Sequence, residues 1–170
     1  MDQADGELSL LKILLELFVM LVLANGAPVV AARLFRRKWA APVDGGRLWS
    51  DGRRVLGKSK TWRGLAAGSL SCALFSWAVG LGFMFGLLFG ALGLLGDLLS
   101  SFTKRRMGLD SSARAVGLDQ VPESLLPMIL AVFWGLATWW GLVVLVLIFT
   151  VANILFSPLL YQLGIRRHPH

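Results

Sequence analysis

Negative charge is what this 170-residue sequence has least of: ten Asp and Glu stand against seventeen Lys and Arg. Beyond Asp51 the only acidic residues are Asp97, Asp110, Asp119 and Glu123. Cysteine is reduced to Cys72, in an apolar run, which excludes a disulfide framework and a Cys-rich metal site within one copy of the chain. Both histidines, His168 and His170, sit in the extreme tail, where a metal role is not expected. Charge of either sign is scarce, at 16% of residues, while 56% are hydrophobic and the mean hydropathy is +0.68. Those values exclude an ordinary water-soluble domain. A basic leader is also missing: the start carries Asp2, Asp5 and Glu7, so the first apolar segment is expected to be retained and not cleaved.

What the sequence does have is long apolar stretches, to be measured against a hydrocarbon core of about 30 Å, or roughly 20 helical residues. Leu8 to Phe35 contains only Lys12, Glu16 and Arg33 as charges, and Lys12 and Glu16 are four apart, on one helix face. It makes one crossing. Leu65 to Phe102 holds the single charge Asp97, and Leu125 to Gly164 holds none. Both are too long for one crossing and are expected to turn, at Gly80-Leu81-Gly82 and at Trp139-Trp140-Gly141. The expectation is an all-α membrane protein, a single transmembrane domain over 1–170, with five spans near 8–32, 65–80, 82–102, 124–139 and 141–164. The glycine series Gly80, Gly82, Gly86, Gly90, Gly93 and Gly96 suits close helix packing. Ten Lys or Arg lie between Arg33 and Arg63, four between Lys104 and Arg114, and two more are Arg166 and Arg167. Basic loops stay inside, so the loops 33–64 and 103–123 and the C-terminus are expected in the cytoplasm and the N-terminus outside.

All four late carboxylates fall in or beside the second basic loop. Asp97 precedes the end of its span by five residues, roughly 7 Å inside the boundary, where a carboxylate must be paired, coordinated or reached by water. Asp97, Ser101, Lys104 and Arg105 share one helical face by their spacing. Hard oxygens followed by cations suit Mg²⁺ and a nucleoside triphosphate, because Mg²⁺ takes one or two carboxylates and leaves the remainder to phosphate and water. The plainer alternative is an ion pair from Asp97 to Lys104 or Arg105. In Gly57-Lys58-Ser59-Lys60-Thr61-Trp62-Arg63-Gly64, the cations Lys58, Lys60 and Arg63 suit a polyphosphate, with solvated loop charges as the alternative. Gly52 to Ser59 also spells the phosphate-loop pattern G-x-x-x-x-G-K-S, but the next helix is a membrane span and no parallel sheet can follow, so that fold is rejected. Asn25 and Pro28 are expected to interrupt the first span near its cytoplasmic end, as backbone lining a cavity or as a local hydrogen-bond device.

The run Gly96-Asp97-Leu98-Leu99-Ser100-Ser101-Phe102-Thr103-Lys104-Arg105, followed by Gly108-Leu109-Asp110 and Gly117-Leu118-Asp119, resembles the signature of the membrane-bound CTP:phosphatidate cytidylyltransferases. Lys58 to Gly64 resembles a second element of that family. The small size and the ending Asp119-Gln120-Val121-Pro122-Glu123-Ser124 are most similar to its archaeal branch. The chain departs from the bacterial and eukaryotic pattern by Leu109 where a Lys is usual, by Gln120 where an Arg is usual, and by Glu123 one position late.

The resemblance implies transfer of CMP from CTP to an unsaturated isoprenoid di-ether lipid phosphate in the cell membrane, giving CDP-archaeol and pyrophosphate at a site facing the cytoplasm. It further implies Mg²⁺ on Asp97 and Asp119, with catalytic roles for these and for Lys104 and Arg105. Lys58, Lys60, Arg63, Lys104, Arg105, Asn25 and Ser101 would meet CTP or phosphate, and Asp110 and Glu123 would support them. Membrane lipids are expected partners; nucleic acid is not. Two rival functions use the same residues: a CTP-dependent polyprenol or phytol kinase, with Asp97 or Glu123 as base, and a small transporter with Asp97 as its ion site.

Overall fold

The computed structural model describes residues 3–110, 113 and 115–162. Arg114, Arg166, Arg167, His168, His170 and the last residues of the fifth expected span lie outside the described residues, as does the placement of the C-terminus. Five helices follow one another: α1 (Gln3–Phe35), α2 (Trp62–Ala78), α3 (Phe83–Arg106), α4 (Gln120–Phe133) and α5 (Trp139–Gln162). Two stretches, Gly6–Phe35 and Phe83–Arg106, are long and apolar enough to cross a bilayer. Apolar side chains also cover the outside of the bundle, including Leu70, Leu74, Leu88, Leu95 and Leu147, a surface that water does not favour.

Local chemistry sets the helix ends. Thr61 caps α2, its Oγ1 accepting from the Gly64 amide at 3.2 Å. The chain reverses between α2 and α3 through Gly80 and Gly82, both at positive φ, where only glycine is unstrained. Ser76 closes that turn by donating to the Gly82 carbonyl at 2.7 Å. The second reversal is not at Trp139-Trp140-Gly141, as expected from the sequence. It lies between Trp134 and Thr138, because Gly135 takes φ +78° and Thr138 Oγ1 accepts from the Gly141 amide at 3.1 Å, which starts α5 at Trp139.

The expected interruption of the first span is also absent: α1 runs unbroken through Asn25 and Pro28. Asn25 donates its side-chain amide to the Leu21 carbonyl at 3.1 Å, the local device and not a cavity lining. Pro28 cannot bond the carbonyl four residues earlier, that of Ala24. That carbonyl faces Gly68 of α2, where an added Cβ would stand only 2.7 Å away. One turn before, the Cys72 thiol donates to the Met20 carbonyl at 3.2 Å. In the N-terminal half of α1, Glu16 is buried and pairs with exposed Lys12 at 3.8 Å.

α3 is the hub, packed between α2 and α4, and its glycines make that possible. A Cβ at Gly86 would lie 2.4 Å from the Cys72 carbonyl, and one at Gly90 2.8 Å from Ser69 Cα, so α2 and α3 touch through backbone. At Gly96 a Cβ would lie 2.1 Å from the Pro122 carbonyl oxygen. Between these levels Leu17, Met20, Phe85, Phe89, Met128 and Phe149 form the core. Gly96→Ala is therefore expected to cost about 1–3 kcal/mol by overpacking. Gly26→Ala, with nothing within 4 Å, should be neutral or stabilising. Thermal unfolding of the two variants in detergent checks this; equal midpoints would contradict the backbone contact.

Candidate active site

Gly96 presses against the backbone of Pro122 and Glu123, so its neighbour Asp97 meets the start of α4, the segment that carries Asp119 and Glu123. The loop from α1 to α2 adds Lys60 from the other side. Lys60 Nζ reaches both oxygens of Asp97, at 2.5 and 2.6 Å. Lys104 Nζ pairs with Asp119 Oδ1 at 2.6 Å and donates to the Ala113 carbonyl at 3.3 Å. Thus Asp97 forms an ion pair, but with neither Lys104 nor Arg105. Glu123 lies within electrostatic reach of Asp97, and Lys60 feels the charges of Asp97, Glu123 and Asp119 together. Burial is the largest single influence and disfavours the Lys60 ammonium. The charge and hydrogen bond of Asp97, with the charges of Glu123 and Asp119, together outweigh it and raise its pKa above that of free lysine.

The other candidates divide. Ser101 is buried on α3 and Arg105 is buried nearby, its guanidinium donating to the Asp110 carbonyl at 2.5 Å. The Arg105 Nε is buried and unpartnered among the described residues, as are the Nε atoms of Arg54, Arg63 and Arg106. Asp110 is exposed and contributes that backbone carbonyl. Lys58 is exposed in the loop and is not brought to the carboxylates. Arg63 is turned elsewhere, donating to the carbonyls of Arg36 at 3.0 Å and Lys38 at 2.7 Å. It fastens the turn after α1, where Arg36 and Trp39 hold positive φ at a cost of about 1–2 kcal/mol each. Asn25 is engaged with its own helix, through the bond to the Leu21 carbonyl.

Sequence reasoning passed over the residues that hold this arrangement. Asp44 organises the first loop: Oδ1 accepts from the Gly46 amide at 2.9 Å and Arg54 at 2.6 Å, and Oδ2 from the Leu56 and Gly57 amides, each at 3.1 Å. Burial would raise its carboxyl, but these donors hold it down at about 2. Arg106 ties the loop to the end of α3, bonding Asp51 at 2.7 Å and the Arg54 carbonyl at 2.8 Å while lying over the Trp49 and Phe102 rings. Ser100, not Ser101, links α3 to the second loop by donating to the Leu118 carbonyl at 2.6 Å. Asp119 Oδ2 accepts from the Ala115 amide at 3.0 Å. Asp44-Gly45-Gly46 was the visible turn signal for the first of these.

Among the described residues no three His, Cys, Asp or Glu side chains form a ready metal cage. Asp97 and Asp119 are part-buried carboxylates that could each offer Mg²⁺ an oxygen, with phosphate and water supplying the other ligands, once the lysine that holds each one gives way.

A family model described as CarS-like, CDP-archaeol synthase, matches residues 10–81 and 73–170. The chain belongs to that family. The CDP-archaeol synthase of Thermococcus kodakarensis is 42% identical over 113 residues, covering 58% of this chain and 60% of that protein. The CDP-archaeol synthase of Pyrobaculum calidifontis is 34% identical over 124 residues, covering 68% of this chain and 73% of its own length. The chain spans about three-fifths of the length of the first-named relative. Among solved structures, an intramembrane enzyme for archaeal membrane lipids biosynthesis superposes with a TM-score of 0.67 at 31% identity, covering 82% of this chain and 89% of the other. In this CDP-archaeol synthase family member, the two segments that carried the resemblance, 58–64 and 96–124, meet at the Lys60–Asp97 ion pair.

The Asp44 carboxyl lies below its ordinary value of 3.8, so it stabilises the loop fully above about pH 4, and this contribution is lost as pH falls through about 2. Amide hydrogen exchange at Gly46, Leu56 and Gly57, corrected for intrinsic rates, should accelerate across that window. Asp44→Asn should lower protection of the same amides at pH 7 by about 1–3 kcal/mol; unchanged exchange would remove Asp44 from this role.

Proposed function

We propose that the chain is an integral-membrane cytidylyltransferase that moves CMP from CTP onto an unsaturated isoprenoid di-ether lipid phosphate, releasing pyrophosphate and CDP-archaeol. The observation that carries this reading is the Lys60–Asp97 pair, which joins a polyphosphate-type loop to a carboxylate at the membrane end of α3. Family membership and the likeness to an intramembrane lipid-synthesis enzyme support it.

In this reading a lipid phosphate oxygen attacks the α-phosphorus of CTP, and the bond to the β-phosphate oxygen breaks. The attacking oxygen is already anionic, so no general base is required. The site has to align two anions and neutralise their charge. Lys60, Lys104 and Arg105 supply the cations, with Ser101 beside them. Asp97 and Asp119 would hold Mg²⁺, which when bound screens the phosphates and the departing pyrophosphate. Glu123 adds its charge to the field that holds Lys60 beside Asp97. Arg63, Lys58, Asn25 and Asp110 act on the loops or surface and not on the reacting groups.

The placement we propose is multi-pass in the cell membrane, with five crossings, the N-terminus outside, and the site, both basic loops and the C-terminus on the cytoplasmic side. Tryptophan supports it. Trp39, Trp49 and Trp62 lie at the loop end of the bundle, Trp77, Trp134, Trp139 and Trp140 at the opposite end, and all seven are exposed. Paired aromatic girdles of this kind mark the two faces of a bilayer.

Purified protein with Mg²⁺, α-labelled CTP and the di-ether lipid phosphate should label the lipid. Label arriving from γ-labelled CTP on a lipid alcohol would instead make it a kinase, and no transfer to either would leave the transporter reading. Asp97→Asn should lower transfer by about 10²–10³-fold, as expected on removing one preorganised charge-stabilising group. Retained turnover in a folded variant would remove Asp97 from the site.

A further inference from the structure

Each of the two carboxylates proposed to hold Mg²⁺ is closed by a lysine of the same chain. Both oxygens of Asp97 are taken by Lys60. Asp119 has Oδ1 on Lys104 and Oδ2 on the Ala115 amide. These pairs are secluded, with side-chain exposures of 21% and 23% for Lys60 and Asp97, and 12% and 21% for Lys104 and Asp119. A divalent cation arriving alone would have to displace an ammonium, which would be left part-buried beside a new positive charge. A triphosphate arriving alone would have to draw the ammonium away and strip a part-buried carboxylate of its partner. Arriving together, each supplies what the other removes. The four-carbon stem of lysine gives the ammonium room to swing between carboxylate and phosphate.

From this we infer that Lys60 and Lys104 are exchangeable counter-ions, which make cation binding at Asp97 and Asp119 conditional on the nucleotide. The inference rests on the cytidylyltransferase reading and adds a binding linkage to it. By reciprocity, the nucleotide is equally conditional on the cation. Simple phosphate-binding lysines predict otherwise: their loss would weaken nucleotide binding and leave the cation largely indifferent.

Two titrations on the 170-residue protein in detergent test it. In the first, Mn²⁺ alone is followed by electron paramagnetic resonance without nucleotide. Lys60→Met and Lys104→Met should each tighten Mn²⁺, by a factor in the range typical of site–site coupling, about 5- to 150-fold. Lys58→Met, which removes the same charge from an exposed position, should change it far less. In the second, CTP is titrated calorimetrically in excess EDTA. Asp97→Asn and Asp119→Asn should tighten metal-free CTP, while Asp110→Asn, a matched loss of charge on an exposed carboxylate, should not do so comparably.

Tryptophan fluorescence reports whether each variant is folded, and if the Lys60 variant is not, the Lys104 and Asp119 variants carry the same comparison. Folded lysine variants with unchanged or weaker Mn²⁺ affinity, or gains no larger than in the charge controls, overturn the exchange. If the wild-type protein with Mg²⁺ binds CTP and transfers CMP while the variants gain nothing, the exchange alone falls. If it neither binds CTP nor transfers CMP, the cytidylyltransferase reading falls and the exchange with it.

Discussion

The rest of the structure depends on the approach of α3 to its neighbours. Gly86 and Gly90 admit α2, and Gly96 admits the first turn of α4, at distances where a single methyl would overlap backbone. In lipid there is little hydrophobic gain from bringing helices together, so contact of this closeness, with the dispersion and backbone complementarity it brings, is what association can draw on. The last glycine of the series is also the residue before Asp97. Packing and chemistry therefore share one point: the contact that joins α3 to α4 also sets a carboxylate of one against Glu123 of the other.

Charge at that point is managed by pairing and not by exposure. The first loop brings Lys60 in, and the loop is itself ordered from within, by Asp44 gathering two glycine amides, a leucine amide and Arg54. Arg106 then anchors the loop to the end of α3. Arg63 secures the strained turn that leaves α1. Seventeen basic residues are thus not an undifferentiated patch. Some hold loops in place, some close carboxylates, and Lys58 is left to solvent.

Helix number and the first reversal were legible in the sequence because glycine pairs and apolar length carry them directly. The second reversal was misplaced, since Trp139 and Trp140 look like a boundary while the turn is made by Gly135 and capped by Thr138. Asp97, Asp119, Lys60 and Lys104 could be named from residue type and spacing, but their pairing could not. Helical spacing places Lys104 on the Asp97 face, yet the second loop offers it Asp119 and the first loop offers Asp97 a nearer cation. Arg63 shows the same limit: it is close in sequence to Lys60, yet it bonds the backbone of Arg36 and Lys38, which no periodicity reveals. Asp44 was overlooked because its partners are mostly main-chain amides, which leave no side-chain signature.

The lengths of the helices have a consequence for the lipid itself. At 1.5 Å per residue, the 17 residues of α2 measure about 26 Å and the 14 of α4 about 21 Å, both short of a 30 Å hydrocarbon core. In the proposed orientation, a bilayer meeting either of these helices must thin or dip to keep its apolar interior off the helix ends. The headgroups next to α4 are then drawn down toward the depth of Asp97. A substrate phosphate would have little distance left to travel, the local shape of the membrane having carried it most of the way.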